Sequence, residues 1–454
     1  MDIALSKPNL DIEIVDHLRE CIETGWVSTG GRFIEEFEHK IADYVGVSNA
    51  VGCQSGTAGL HTALRILGVT AGDEVIVPTL TFIAAVNPVA YLEATPVFMD
   101  CDADFCMDAA KLRGFLEEEC EVRDAVIATD STKHCEGLKQ SGIPHNHSDY
   151  TAEDGSRLYN KSTGKRIAAI VVVHVFGNIA DMETIMNLAN LYNIPVLEDA
   201  TEALGSYITG GRYAGRYAGT IGDMGVYSFN ANKIITTGGG GMIVAGKDRC
   251  SDEGVSLQSG CLADAKTQNA QRIERARYLT TTAKDDGLYF RHDDIGYNYR
   301  MLNLQAALGV SQADRLDEFI TKKHGVYARY AELLSDIPEV TLLPLKSGIR
   351  SNAWFYCLYV ADAERATFAD KDLVGNTDNT RDKLMAHLIA QGIQARPVWV
   401  LCHKQSAYTT FKAYDITQAY DYESNVLNLP CSTSITDEEV RYVCDSIRSY
   451  FSHN

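Results

Sequence analysis

The chain is short of positive charge: 41 lysines and arginines stand against 61 aspartates and glutamates in 454 residues, a net charge of -20. A chain so acidic lacks the basic footprint with which proteins meet a phosphate backbone, which argues against nucleic-acid binding. A small anionic substrate is not excluded, because a few basic side chains and helix N-termini hold a diphosphate even inside an acidic protein. With only 10 prolines and 45% apolar residues, the composition excludes a disordered chain and describes an ordinary globular one. No uninterrupted apolar run approaches the roughly 20 residues needed to span a bilayer, so no membrane partner is expected. The first residues have neither the basic start nor the apolar core of a signal peptide, and a cytoplasmic location is the expectation. The 12 cysteines are scattered without a Cys-x-x-Cys pair. Buried reduced thiols are expected rather than a disulfide frame or a metal site. There is no internal repeat.

What is present centres on Val226-Tyr-Ser-Phe-Asn-Ala-Asn-Lys233-Ile-Ile-Thr-Thr-Gly238, where one lysine follows a β-prone run and precedes four glycines. An ammonium in uncharged surroundings tends to lose its proton, and a neutral amine attacks carbonyls. Lys233 reads as a Schiff-base lysine; a solvated loop lysine beside a glycine hairpin fits this stretch equally well. A phosphate-loop reading is weak, because the glycines follow the lysine and no Gly-Lys-Ser/Thr triplet occurs.

Residues 10–45 show helical spacing on both sides of a Gly25–Gly31 turn, in which Trp26 is either a core anchor or a pocket wall. Ala50-Val-Gly-Cys-Gln-Ser55-Gly56-Thr57-Ala58 reads as strand, tight turn and helix. The amides of Gly56, Thr57 and Ala58 would suit a phosphate, and a plain N-cap by Ser55 or Thr57 is the alternative. Strands are expected at 74–78, 95–100, 167–174, 194–199 and 225–229, alternating with helices at 82–92 and 182–192. Strands apolar throughout indicate a mostly parallel sheet covered by helices on both faces, with ligands beyond the strands' carboxyl ends. That edge would hold Asp199, Ser228 and Lys233.

The rhythm breaks between 122 and 165, a polar tract holding His134, Cys135, His145, His147, Asp149 and Asp154. Its spacing fits no compact metal-ligand set, and a surface insertion is expected. The chain would divide into a large domain, 1–248, and a smaller C-terminal α+β domain, 249–454. In the latter we expect a long helix running toward Leu334, strands at 354–360 and 393–398, a helix at 383–391, and a last helix opened by a Thr436/Glu439 capping box.

Together, Ser55-Gly-Thr-Ala, Pro78-x-x-Thr-Phe82, His174-x-Phe-Gly-Asn178, Glu198-Asp-Ala200, Ser228-Phe-Asn-x-x-Lys233 and Gly296-Tyr-Asn-Tyr-Arg-Met301 resemble the DegT/DnrJ/EryC1/StrS sugar aminotransferases. These are α/β, fold-type I enzymes that use pyridoxal 5′-phosphate. The resemblance implies that Lys233 carries the cofactor and shuttles a proton, that Asp199 pairs with the pyridine nitrogen, and that Phe82 stacks on the ring. Gly56, Thr57 and Ser228 would hold the phosphate, and Glu202 stands where many members carry glutamine near the ring's 3-oxygen. Asn298 would reach the phosphate from a neighbouring subunit, making the active unit at least a homodimer with shared sites. The family's usual Phe-His-Gly/Ala-x-Lys run is here Phe229-Asn230-Ala-Asn232-Lys233, which keeps the lysine spacing but loses the histidine.

The resemblance also implies a nucleotide-linked ketosugar as substrate and glutamate as amino donor, with Trp26, Arg396, Trp399 and His403 facing the sugar nucleotide. Each of these four fits ordinary packing as well. The flanks of the 122–165 tract are similar to the subgroup that aminates intermediates of bacillosamine and legionaminic acid synthesis. That similarity suggests C4 of a UDP-linked 2-acetamido-4-keto-2,6-dideoxyhexose, for cell-surface glycans. Two alternatives are a sugar dehydratase using the same cofactor, whose relatives carry histidine in place of the lysine, and a cofactor-binding regulator without turnover.

Overall fold

The computed structural model describes residues 2–10, 12–123, 156–246, 260–361 and 379–453. Its larger sheet has eight strands, in the order Ala50–Cys53, Gly241–Ala245, Met224–Ser228, Val196–Asp199, Ile167–Val173, Glu74–Pro78, Thr95–Met99 and Ala413–Tyr414. From Met224–Ser228 to Ala413–Tyr414 every neighbouring pair is parallel, while Gly241–Ala245 runs antiparallel to both its neighbours. All seven residues of Ile167–Val173 are buried, as a strand sandwiched between helical layers requires. The strands match expectation within two residues.

A second, four-stranded sheet is antiparallel throughout, in the order Val340–Leu342, Tyr356–Val360, Val426–Leu429, Arg396–Pro397. Helices Leu316–Leu334, Thr380–Ala390 and Asp437–His453 accompany it. The fold is therefore the expected α/β arrangement with an α+β C-terminal part. A division near residue 248, which we retain as a proposal, must allow for two exchanges. Ile3 bridges to Ile393 beside the small sheet, and Ala413–Tyr414 extends the large one.

Three expected elements differ in detail. The helix expected at 82–92 is a turn of 3-10 helix, Ile83–Ala85, followed by Asn87–Tyr91. Pro88 lacks the amide that would continue a helix but is tolerated in a first turn, so it opens a new one. The helix running toward Leu334 is two helices, Asn303–Ala313 and Leu316–Leu334, broken at residues 314–315. Of the strand expected at 393–398, residues Arg396–Pro397 pair. The capping box is present: Thr436 N donates to Glu439 Oε2 at 2.7 Å and Glu439 N to Thr436 Oγ1 at 3.2 Å.

The 122–165 tract is bounded by an antiparallel pair, Cys120–Arg123 with Arg157–Asn160; its histidines, Cys135, Asp149 and Asp154 lie outside the described residues. Nine cysteines are described, all free and buried. Among the described residues no helix is long and apolar enough to cross a membrane.

Candidate active site

Strand Met224–Ser228 ends in a loop closed on both sides of Lys233. Phe229 N donates to Gly240 O at 2.9 Å, Thr237 N to Phe229 O at 3.0 Å, and Lys233 N to Asn230 O at 3.0 Å. Phe229 is buried, its ring 4.8 Å from that of Phe37, so the start of the loop is pinned into the core. Trp354, from the approach to strand Tyr356–Val360, donates its Nε1 to Asn232 O at 2.8 Å and lies with its ring 4.1 Å from Lys233 Nζ. The lysine side chain is 13% exposed, which removes the solvated-loop reading. Burial pulls its proton affinity down, against the opposing pull of Glu202 and Asp199.

Asp199 closes strand Val196–Asp199 at the carboxyl edge, next to Met224–Ser228, where a parallel sheet gathers its ligand-binding groups. Its Oδ1 accepts from Thr201 N at 3.0 Å, so Asp199 shapes the turn that leaves the strand as well as lining the cavity. Burial pushes this carboxyl up, while bonds from Thr201 and the charges of Lys233 and His174 pull it back. Behind it, fully buried His174 Nε2 lies 2.7 Å from Glu198 Oε2, and Glu198 also accepts from the amides of Gly219 and Ile221 at 2.9 and 2.6 Å. His174 and Glu198, seen in the sequence as motif members, thus anchor the strand ends. Glu202 is held through Oε2 by Phe176 N at 2.9 Å, and its Oε1 lies 3.9 Å from Lys233 Nζ. Burial pushes Glu202 up to about 7, although Lys233 and the Phe176 amide act the other way.

Helix Gly56–Ile66 points its N-terminus at the same cavity. Ser55 Oγ accepts from Ala58 N at 3.1 Å, and Ser55 O from Gly59 N at 3.1 Å. Ala58, expected among the anion donors, is therefore committed to the cap. Gly56 and Thr57 remain as first-turn amides for which a helix supplies no acceptor. A Cβ at Gly56 would come within 2.9 Å of Thr201 Cγ2 and 3.1 Å of Ser228 Cβ, so glycine is what lets the backbone line this corner. The half-exposed ring of Phe82 forms another wall, 6.4 Å from the ring of Trp399, which stacks on Phe176 at 4.9 Å.

The cavity, of about 630 Å³, brings together Gly56, Thr57, Phe82, Asp199, Glu202, Ser228, Lys233, Arg396 and Trp399 from nearly the whole length of the chain. Three expected residues do not line it. Trp26 is 59% exposed, and its carbonyl accepts from Asn303 Nδ2 at 2.7 Å. His403 has both ring nitrogens engaged, by Thr79 Oγ1 at 2.6 Å and Tyr420 OH at 3.0 Å, which makes it a strut between elements. Asn298 is exposed, on a segment fixed by Tyr299 O accepting from Gln54 N at 2.8 Å and by the Arg300–Glu38 ion pair. Sequence reasoning missed Trp354, Phe355 and Thr201, which also line the cavity. The first two read in the sequence as the start of a strand; with Ala353 at φ 52 and Trp354 N bonded to Asn352 Oδ1, Trp354 meets Lys233 and Phe355 lines the cavity.

A buried lysine of lowered proton affinity, an acid at a strand end, an aromatic wall and a helix N-terminus beside Ser228 match the aldehyde, ring nitrogen, ring face and phosphate of pyridoxal 5′-phosphate. The donor set fits that group.

The model of the DegT/DnrJ/EryC1/StrS aminotransferase family matches residues 8–136 and 152–448. Among curated proteins, the GDP-perosamine synthase of Caulobacter vibrioides is 32% identical over 96% of this chain and 95% of its own. That of Escherichia coli O157:H7 is 30% identical over 99% of each. Among solved structures, Helicobacter pylori PseC, an aminotransferase involved in pseudoaminic acid biosynthesis, superposes with a TM-score of 0.75 at 21% identity over 100% of both chains, a likeness of fold.

Proposed function

The chain belongs to the DegT/DnrJ/EryC1/StrS aminotransferase family and is a pyridoxal-phosphate-dependent sugar aminotransferase, and from that premise we propose that it moves an amino group from glutamate to a nucleotide-linked ketosugar. The observation that carries the reading is the convergence of Lys233, Asp199 and Phe82 on one cavity at the N-terminus of helix Gly56–Ile66. When bound, the cofactor supplies an aldehyde and an electron-withdrawing ring that lets an amino acid lose its α-proton. Lys233 Nζ would be the amine that holds the cofactor's aldehyde and the base that moves a proton at its nitrogen. Asp199 holds the ring nitrogen, Gly56, Thr57 and Ser228 hold the phosphate, and Phe82 covers the ring. Asn298, exposed and outside the cavity of its own subunit, is assigned to the site of a partner in a homodimer.

For the acceptor we place first C4 of a UDP-linked 2-acetamido-4-keto-2,6-dideoxyhexose, supported by the sequence on either side of the 122–165 tract. Arg396 suits the diphosphate, by two-point contact, and Trp399 the base or sugar, by stacking. A GDP-linked ketosugar is the second reading, favoured by the GDP-perosamine synthases among the relatives. Incubating the loaded enzyme with glutamate and each ketosugar nucleotide, with mass spectrometry of the products, tests both. Amination of a dTDP-linked 3-ketosugar alone would overturn the substrate assignment and leave the aminotransferase standing.

A further inference from the structure

Glu202 is an unusual neighbour for an amine that has to be neutral to act. Its Oε2 is committed to the Phe176 amide, which leaves Oε1 facing Lys233 Nζ at 3.9 Å, and the two side chains are 2% and 13% exposed. The titratable groups acting on Glu202 are Lys233 from the loop, Asp199 from its own turn, and the Cys357 thiol, on strand Tyr356–Val360, which Glu202 helps to keep protonated. His174 acts at one remove, through Asp199. For side chains this buried a lone ammonium is costly and so is a lone carboxylate, whereas an ion pair and a neutral pair both carry no net charge.

We propose that Glu202 is the proton acceptor for Lys233, taking on Oε1 the proton that the ammonium gives up before its nitrogen can attack a carbonyl. One N–H bond breaks with its electron pair left on nitrogen, one O–H bond forms on Oε1, and the charge of the cavity is unchanged. The 3.9 Å separation exceeds a hydrogen bond, so the transfer requires a rotation of the Lys233 side chain that brings Nζ to Oε1 while Oε2 keeps the Phe176 amide. Capture removes the lysine charge that holds Glu202 down, and burial then favours the carboxylic acid, so the proton's new position is stable once the amine has reacted. The inference rests on reading Lys233 as the carbonyl-attacking amine.

The test uses cofactor-free protein carrying ¹³C-carboxyl glutamate, at about pH 8 so that Glu202 starts ionised. Infrared difference spectra are recorded as pyridoxal 5′-phosphate is added, and borohydride reduction with peptide mass analysis scores capture by Lys233 in the same sample. The expected result is capture accompanied by one new protonated-carboxyl band with the isotope shift. That band should be missing in Glu202→Gln and should lose its isotope shift in Glu202→Asp, which carries the test if the amide variant does not fold. Capture without the band, or a band unchanged in these variants, overturns the proposal and leaves Lys233's role intact. No capture at Lys233 overturns both.

Discussion

Trp354 holds Lys233 at two points: its Nε1 donates to the carbonyl of Asn232, the residue before the lysine, at 2.8 Å, and its ring lies 4.1 Å from the lysine Nζ. The C-terminal part of the chain therefore sets both the backbone and the head of the reactive residue. Trp354→Phe keeps a ring face but loses the indole donor, at a cost of roughly 0.5–1.5 kcal/mol. Trp354→Ala removes the packing as well, at roughly 3–5 kcal/mol. Urea unfolding measures both, and cofactor capture by Lys233 should slow in each. Unchanged capture in the alanine variant would mean that the indole does not position the lysine.

Asp199→Asn keeps the shape of the strand end and an acceptor for Thr201 N while removing the charge. The variant should still bind the cofactor and should lose transamination by about a hundredfold or more, as loss of a group that maintains a protonation state does. Steady-state turnover with glutamate checks it; a wild-type rate would assign Asp199 to the turn alone.

Asn298 is exposed and lies outside its own cavity, so the shared-site assignment has a simple consequence. Subunits carrying Lys233→Ala and subunits carrying Asn298→Ala should each be inactive, and mixing them should restore activity. In a mixed dimer one site collects both defects and the other collects neither. Absence of recovery, with subunit exchange demonstrated by a labelled chain, would count against a shared site.

Glu202 gives the protein a pH dependence of definite sign. Its ordinary value of 4.5 is raised to about 7 in the fold, so between those values the folded protein binds more protons than the unfolded chain. The stability it contributes is fully present below 4.5, falls as pH rises through about 7, and is level above. Glu202→Gln does not titrate, so its stability relative to the wild type should rise across this window, by on the order of 3 kcal/mol. Denaturant unfolding of the cofactor-free proteins at several pH values measures the difference, and a constant difference would contradict it.

Much of this was legible in the sequence because the signals are local. A fully apolar run such as Ile167–Val173 is a sandwiched strand wherever it occurs, and Thr436 with Glu439 forms its cap within one turn. Lys233 stood out because its flanks carry no charge. The misses come from contacts between distant segments. Trp354 reads as strand until Ala353 takes a positive φ, and the pairing of Ala413–Tyr414 with Thr95–Met99 depends on where the chain returns. His403 carries the chemistry of a ligand-binding residue, yet Thr79 and Tyr420 engage both its nitrogens, which no local pattern announces.

The central claim is that Lys233 carries the cofactor of a sugar aminotransferase, and borohydride reduction of the loaded protein followed by peptide mass analysis tests it most directly. The account predicts one reduced pyridoxyl phosphate adduct, on the peptide containing Lys233, and neither adduct nor transamination in Lys233→Ala. An adduct on a different lysine, or full turnover in the alanine variant, would contradict it.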